Sequence, residues 1–144
     1  MSNDKRQLRD RYRVFQTITT RWMDNDVYGH VNNVTYYSYF DTAVNAYLIE
    51  HGGLDIHAGT TVGLVVSSGA DYHEAIAFPD RIEAGLRVDK LGTSSVHYGV
   101  GIFRKEAERS SADGRFVHVF VDRKSNRPVS IPVTIRSALE QLIL

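Results

Sequence analysis

Residues 24–53 read DNDVYGHVNNVTYYSYFDTAVNAYLIEHGG, a polar, turn-forming lead followed by an aromatic segment with helical spacing. Between Asn33 and His51, the residues Tyr36, Phe40, Ala43, Val44, Tyr47 and Leu48 recur at i, i+4, i+7, i+8, i+11 and i+12, which makes one apolar helix face. Asn32 or Asn33 can cap the start, because an Asn side chain accepts from the unpaired first-turn amides. Gly52-Gly53 ends the helix, since glycine readily takes the left-handed conformation beyond a C-terminus. Aromatic residues cover much of the remaining helix surface, so the helix is expected to be buried on more than one side.

Strand patterns flank this helix. Before it, Arg11 to Trp22 alternates, with Tyr12, Val14, Gln16, Ile18 and Thr20 on one side, and β-branched and aromatic residues suit a pleated sheet. After it come four more candidates: Val62–Glu74, Asp80–Lys90, Ser94–Arg104 and Arg115–Lys124. The links Pro79-Asp80, Leu91-Gly92 and Ala112-Asp113-Gly114 have turn composition. Pro132 can open a short C-terminal helix running to Leu144. Met1 to Asp10 reads as a flexible leader. Successive strands after one helix favour an antiparallel sheet with that helix packed on it. Gly99 and Gly101 remove side chains from one face of a central strand, which would let the helix approach there.

The chain has 144 residues, which suits a single domain with a core of its own. Its 17 basic and 17 acidic residues balance, which argues against a nucleic-acid or anionic-membrane binder. With no cysteine, disulfides, thiolate metal sites and a Cys nucleophile are excluded. No signal peptide or roughly 20-residue apolar span is present, so the expected location is the cytoplasm.

The segment from Asp24 to Asp41 concentrates the polar chemistry. Asp26 is a carboxylate in a loop just before a helix N-terminus, where unpaired backbone N–H groups favour negative charge. Surrounding aromatics exclude water and so strengthen electrostatic interactions. The combination suits acyl transfer: N–H groups polarise a carbonyl while the carboxylate attacks it or activates water. The same segment resembles the signature of the 4-hydroxybenzoyl-CoA thioesterase family, including its YbgC-like acyl-CoA thioesterases, and the order of elements over residues 12–124 resembles their hotdog fold. That resemblance implies an α+β chain with a five-stranded antiparallel sheet wrapped around one long helix. It implies hydrolysis of an acyl-CoA to free acid and CoA, with no metal or redox cofactor, in a homodimer or homotetramer with sites at the interface. It places the catalytic carboxylate at Asp26 and the oxyanion-polarising N–H at Asn33. His30 and Tyr28 fall beside them. Val65, Val66 and Ser67 match the strand lining the acyl pocket, and Gly92, Thr93 and Ser94 match the loop contacting the CoA phosphates. The benzoyl-type enzymes carry a basic cluster at that loop, whereas this chain offers only Lys90 nearby; an acyl-carrier-protein thioester is therefore an alternative carrier.

Other readings compete. Asp24 and Asp26 are also ordinary turn residues, and Asp24 is expected to be structural. His30 suits an orienting role better than direct proton transfer, although paired with Asp26 it would fit a hotdog dehydratase or hydratase. A non-catalytic acyl-CoA binding module is the third class. Ser67 and Ser68 lack the strand–turn–helix context of a serine hydrolase. The remaining histidines lack metal-ligand spacing, and Glu74 is expected at the surface.

Overall fold

The computed structural model describes residues 5–144. Five strands, β1 (Val14–Thr19), β2 (Thr61–Tyr72), β3 (Arg81–Leu91), β4 (Ser95–Arg104) and β5 (Ala112–Asp122), form one sheet in the order β1-β3-β4-β5-β2. All neighbours run antiparallel. The helix α1 (Asn33–Gly52) packs on this sheet, and α2 (Val133–Glu140) closes its C-terminal end. No helix of the described residues is long and apolar enough to cross a membrane.

The alternation in the sequence explains the sandwich. Ile82, Ala84, Leu86 and Val88 on β3 and Val96, Tyr98, Val100 and Ile102 on β4 are buried in one cluster with Phe40, Ala43, Val44 and Leu48 of α1. Burying each large apolar side chain contributes about 1.5–3 kcal/mol, so the apolar stripe of α1 is the main force holding it to the sheet. The second buried side of α1 carries hydroxyl groups with partners: Tyr39 donates to Asp24 Oδ2 at 2.7 Å and Tyr47 to the Ala138 carbonyl at 2.6 Å. Asn32 caps the start by accepting the Val34 amide at 2.9 Å, and Gly53 ends it with φ +68°.

Three expectations are corrected. The close approach of α1 occurs at Gly114, where a Cβ would lie 2.6 Å from the Phe40 ring. Gly101 instead lies on the opposite face beneath Tyr12, and Gly99 beneath the Arg87 guanidinium. Ala112-Asp113-Gly114 has turn composition but is not a turn: it opens β5, paired with Ile102-Gly101-Val100 on one side and Tyr72-Asp71-Ala70 on the other. The first strand is shorter than its alternation suggests. Tyr12 precedes β1 and lies across the outer face, edge-on to Phe103 at 5.7 Å, and Trp22–Asp24 forms a 3-10 turn.

Of the expected leader, residues 1–4 lie outside the described residues. From Gln7 the chain is tied down: Gln7 exchanges hydrogen bonds with Ser110, and Arg9 donates to Glu83 at 2.9 Å and to the Ala107 carbonyl at 2.6 Å. The edge strand β2 contains a bulge between Val65 and Ser67, leaving Val66 without a counterpart on β5. Leu64, Val65 and Val66 are consecutive exposed apolar residues on that edge.

Candidate active site

Residues 24–32 fold into a pinned loop that delivers the chain to the N-terminus of α1. Asp24 is almost fully buried, and its carboxylate accepts from Tyr39 Oη and from the Arg21 amide and guanidinium. Burial alone would raise its pKa, but these hydrogen bonds and the Arg21 charge outweigh it and hold the carboxyl below its ordinary value. Asp24 is thus the structural acid of the pair. Asn25 accepts the Phe78 amide through its side chain at 2.9 Å and bridges Val31. The Val31 amide donates to Ile76 O at 2.8 Å, and the Asn32 amide to Asp24 O at 3.0 Å.

Asp26 sits at the neck of this loop. Its amide donates to His30 O at 2.9 Å, its carbonyl accepts from Gly29 N at 3.0 Å, and its Oδ1 accepts from Tyr28 N at 2.9 Å. Gly29 turns the chain at φ +80°. The half-buried carboxylate is therefore oriented by backbone while Oδ2 has no protein partner among the described residues. The first amide of α1, that of Asn33, likewise has no acceptor there, because the Asn32 side chain takes the Val34 amide instead. An unpaired carboxylate oxygen and an unpaired helix-terminal N–H flank the same short segment, and this is the donor–acceptor set that acyl transfer requires.

A cavity of about 320 Å³ lies against this helix terminus, lined by Val31, Asn33, Tyr36, Tyr72, His73 and others. Tyr72 Oη donates to the Asn33 carbonyl at 3.2 Å, and its ring meets Tyr36 edge-on at 5.0 Å. Burial pushes the Tyr36 hydroxyl up to about 12, so it remains a donor at neutral pH. The neighbouring apolar side chains stand open: Val27 is 92% exposed, Tyr28 84% and Trp22 77%. His30 is also exposed, and its ring makes no hydrogen bond to Asp26. The His30–Asp26 pairing expected of a dehydratase is not formed.

The anticipated site residues separate into three places within one chain. Tyr28, Asp26, His30 and Asn33 gather at the end of the sheet where β2 finishes. Val65, Val66 and Ser67 lie midway along the β2 edge. Gly92, Thr93 and Ser94 form the β3–β4 turn at the opposite end, with Lys90 near the end of β3 beside it, separated from Asp26 by the ten residues of β4, about 33 Å. In that turn the carbonyls of Gly92, Thr93 and Ser94 accept from Arg136, Ile131 and Phe120. The amides of Thr93 and Ser94 have no acceptor among the described residues, and unpaired backbone N–H groups in a turn can bind phosphate. Arg136 was not anticipated as a site residue. Arg136 comes from a helix 44 residues beyond Gly92, and only the tertiary fold brings it there.

Five antiparallel strands packed on one long helix, with the loop from Asp24 leading into that helix, define a hotdog-fold architecture. The model of the thioesterase-like superfamily matches residues 20–139. The PA5185 protein of Pseudomonas aeruginosa strain PAO1 is 61% identical, with 96% of each chain covered and a TM-score of 0.95. The PA2801 protein of Pseudomonas aeruginosa is 30% identical over 88% of this chain and 98% of its own, with a TM-score of 0.82. A thioesterase from Thermus thermophilus, solved with coenzyme A and Zn, is 28% identical over 89% of this chain and 98% of its own, with a TM-score of 0.73. Among curated proteins none matches significantly. The chain belongs to the thioesterase-like superfamily. It is a thioester hydrolase.

Proposed function

We propose that the protein hydrolyses an acyl-CoA to the free acid and CoA, with Asp26 as nucleophile or general base and the Asn33 N–H stabilising the oxyanion. The observation that carries this reading is that Asp26 Oδ2 and the first amide of α1, near the two ends of one short loop, both lack a partner among the described residues. The relative solved with coenzyme A supports CoA as the carrier. The 4-hydroxybenzoyl-CoA/YbgC-like branch is the subfamily that the 24–41 segment supports. The reading requires neither a metal nor a redox cofactor. A cytoplasmic location is part of the same proposal.

The site is proposed to be completed by a second copy. The β2 edge is twelve residues long, unpaired, and bears exposed Leu64, Val65 and Val66; such an edge is a template for pairing. Antiparallel pairing of β2 with itself reverses the partner's sheet. It would therefore bring the turn Gly92, Thr93 and Ser94 of the partner subunit to the end that carries Asp26 and Asn33. The three groups of residues dispersed in one chain then converge: carboxylate and oxyanion donor from one copy, phosphate-binding amides from the other, and the valines of both at the seam. A tetramer of two such dimers is the fuller assembly in this proposal.

The test is thiol release from a panel of short, medium and long aliphatic and aromatic acyl-CoAs, with wild type beside Asp26→Asn. Turnover by wild type with a fall of at least 100-fold in the variant is expected, since losing a nucleophile or base has costs of this order. Unimpaired turnover in Asp26→Asn would refute the assignment.

A further inference from the structure

A second cavity, of about 500 Å³, lies along the β1 edge of the sheet. Its size falls within the roughly 300–1,000 Å³ of small-molecule sites. Thr17 and Thr19 of β1 stand opposite Glu83 and Arg81 of β3 in the ladder. These four alternate with Ile18 and Ile82, which belong to the core cluster, so they project from the face that α1 does not cover. Phe78, Pro79 and Asp80 wall one side, and Lys105, whose amide donates to the Arg81 carbonyl at 2.8 Å, another. This cavity shares no lining residue with the one at the α1 N-terminus.

The acids here are engaged, whereas the bases are not. Glu83 accepts from the Arg9 guanidinium at 2.9 Å. Asp80 Oδ2 accepts the Ala77 amide at 3.1 Å, and the Asp80 carbonyl takes the Thr20 hydroxyl at 2.7 Å. The Arg81 guanidinium and the Lys105 ammonium have no partner among the described residues, nor do the hydroxyls of Thr17 and Thr19. A neighbouring cleft shares Asp80, Arg81 and Lys105; it adds Arg104, which is paired with Glu74, and the exposed Glu106. The Phe78 ring and Pro79 supply an apolar wall, and Trp22 meets that ring edge-on at 6.1 Å.

Two free cations and two free hydroxyls beside an apolar wall suit an anionic head with an apolar tail. A guanidinium matches a carboxylate with two parallel hydrogen bonds, and an ammonium adds a point charge. The Asp80 carboxylate on the same wall disfavours a doubly charged head such as phosphate, because like charges repel. We propose that this cavity is a binding site for an amphiphilic carboxylate. The head lies between Arg81 and Lys105, within reach of the Thr17 and Thr19 hydroxyls, and the tail packs on Phe78 and Pro79. The free acid released by the proposed hydrolysis belongs to this class, but the site stands on its own residues and not on that reading.

Decanoate is the probe, titrated into wild type and an Arg81→Gln/Lys105→Gln double variant by calorimetry. The fluorescence of Trp22, the chain's single tryptophan, gives a local second readout. Wild type should bind decanoate saturably, one per chain. The double variant should raise Kd about tenfold or more, since a hydrogen bond to a charged group is worth about that factor. Acetate and decanol, which carry the head or the tail alone, should each bind at least about tenfold more weakly than decanoate. Thr17→Phe, which fills the cavity and leaves both cations, should also abolish binding. The double variant should keep wild-type kcat on any acyl-CoA that is turned over. Absence of saturable binding to folded wild type would overturn the proposal. Equal affinity in the double variant would place decanoate elsewhere and overturn it too, and decanol binding as tightly as decanoate would remove the carboxylate. Decanoate binding through Arg81 and Lys105 in a protein inert on the whole acyl-CoA panel would support this site and count against the acyl-CoA reading alone.

Discussion

Acidification should weaken this fold through one buried histidine. His118 on β5 is 2% exposed, with its ring among Tyr98, Phe116 and Phe120 at centroid distances of 5.3, 5.0 and 6.1 Å. Its Nδ1 has no hydrogen-bond partner and faces the backbone of Gly63. Nothing there stabilises an imidazolium, and burial pushes the pKa from 6.5 down to about 4. The unfolded chain takes up a proton near pH 6.5, while the native chain refuses it until about pH 4. Stability is therefore fully present above pH 6.5 and is lost as the pH falls through that window. With about 1.4 kcal/mol per unit, the loss is about 1.4 kcal/mol at about pH 5.5 and about 3 kcal/mol at about pH 4. Urea titrations of wild type and His118→Leu at neutral pH, midway through the window and at its acidic end measure it. The leucine variant starts less stable but should lack this slope, so the two curves converge as the pH falls. Parallel decline of both proteins across the window would refute the reasoning.

Three further outcomes are expected. Asp24→Ala should cost about 3 kcal/mol in urea unfolding, because it removes the buried half of a charge pair and orphans Tyr39. In wild type the depressed Asp24 pKa contributes stability that is present at neutral pH and lost as the pH falls through its folded value, below 3.8 and so beneath the His118 window. Gly114→Ala should cost about 1–3 kcal/mol by overpacking against Phe40, while an alanine at the half-buried turn glycine Gly92, where a Cβ meets only the flexible end of Ser95 so closely, should be milder by the same measurement. Val66→Lys, placing a charge at the β2 edge, should give monomers by light scattering and lose turnover without loss of the monomer fold; an unchanged particle mass would remove β2 as the seam.

The helix and the strands were legible because each carries its period openly: the helical stripe from Tyr36 to Leu48 and the strict alternation of Ile82 to Val88. The glycines misled for a physical reason. A strand glycine reports that something approaches closely, but not from which face, so Gly101 could not be told from Gly114 until Tyr12 and Phe40 were located. Asp113 and Gly114 have turn composition yet lie in β5, because pairing on both sides and the fit of Phe40 override local preference. That Asp26 lies in a loop just before a helix starting at Asn33 could be read from one short stretch of sequence, since a loop and a helix terminus are local features. The hydrogen bond between His73 and Asp113 and the Arg136 contact could not, because their partners lie 40 and 44 residues away with no periodic signal linking them.

The extra residue in β2 bears on how the chain avoids polymerising. A long apolar edge is a hazard because a flat strand accepts neighbours without end, but a bulge bends and twists the strand on which it sits. With Val66 displaced from the ladder, the edge offers a curved, interrupted surface that only an equally curved one can follow. Self-pairing in opposite directions also consumes both copies of that edge at once, leaving at the rims only β1, with six residues. In the proposed β2 self-pairing, closure at a pair rather than growth into a fibre would follow from a single inserted valine.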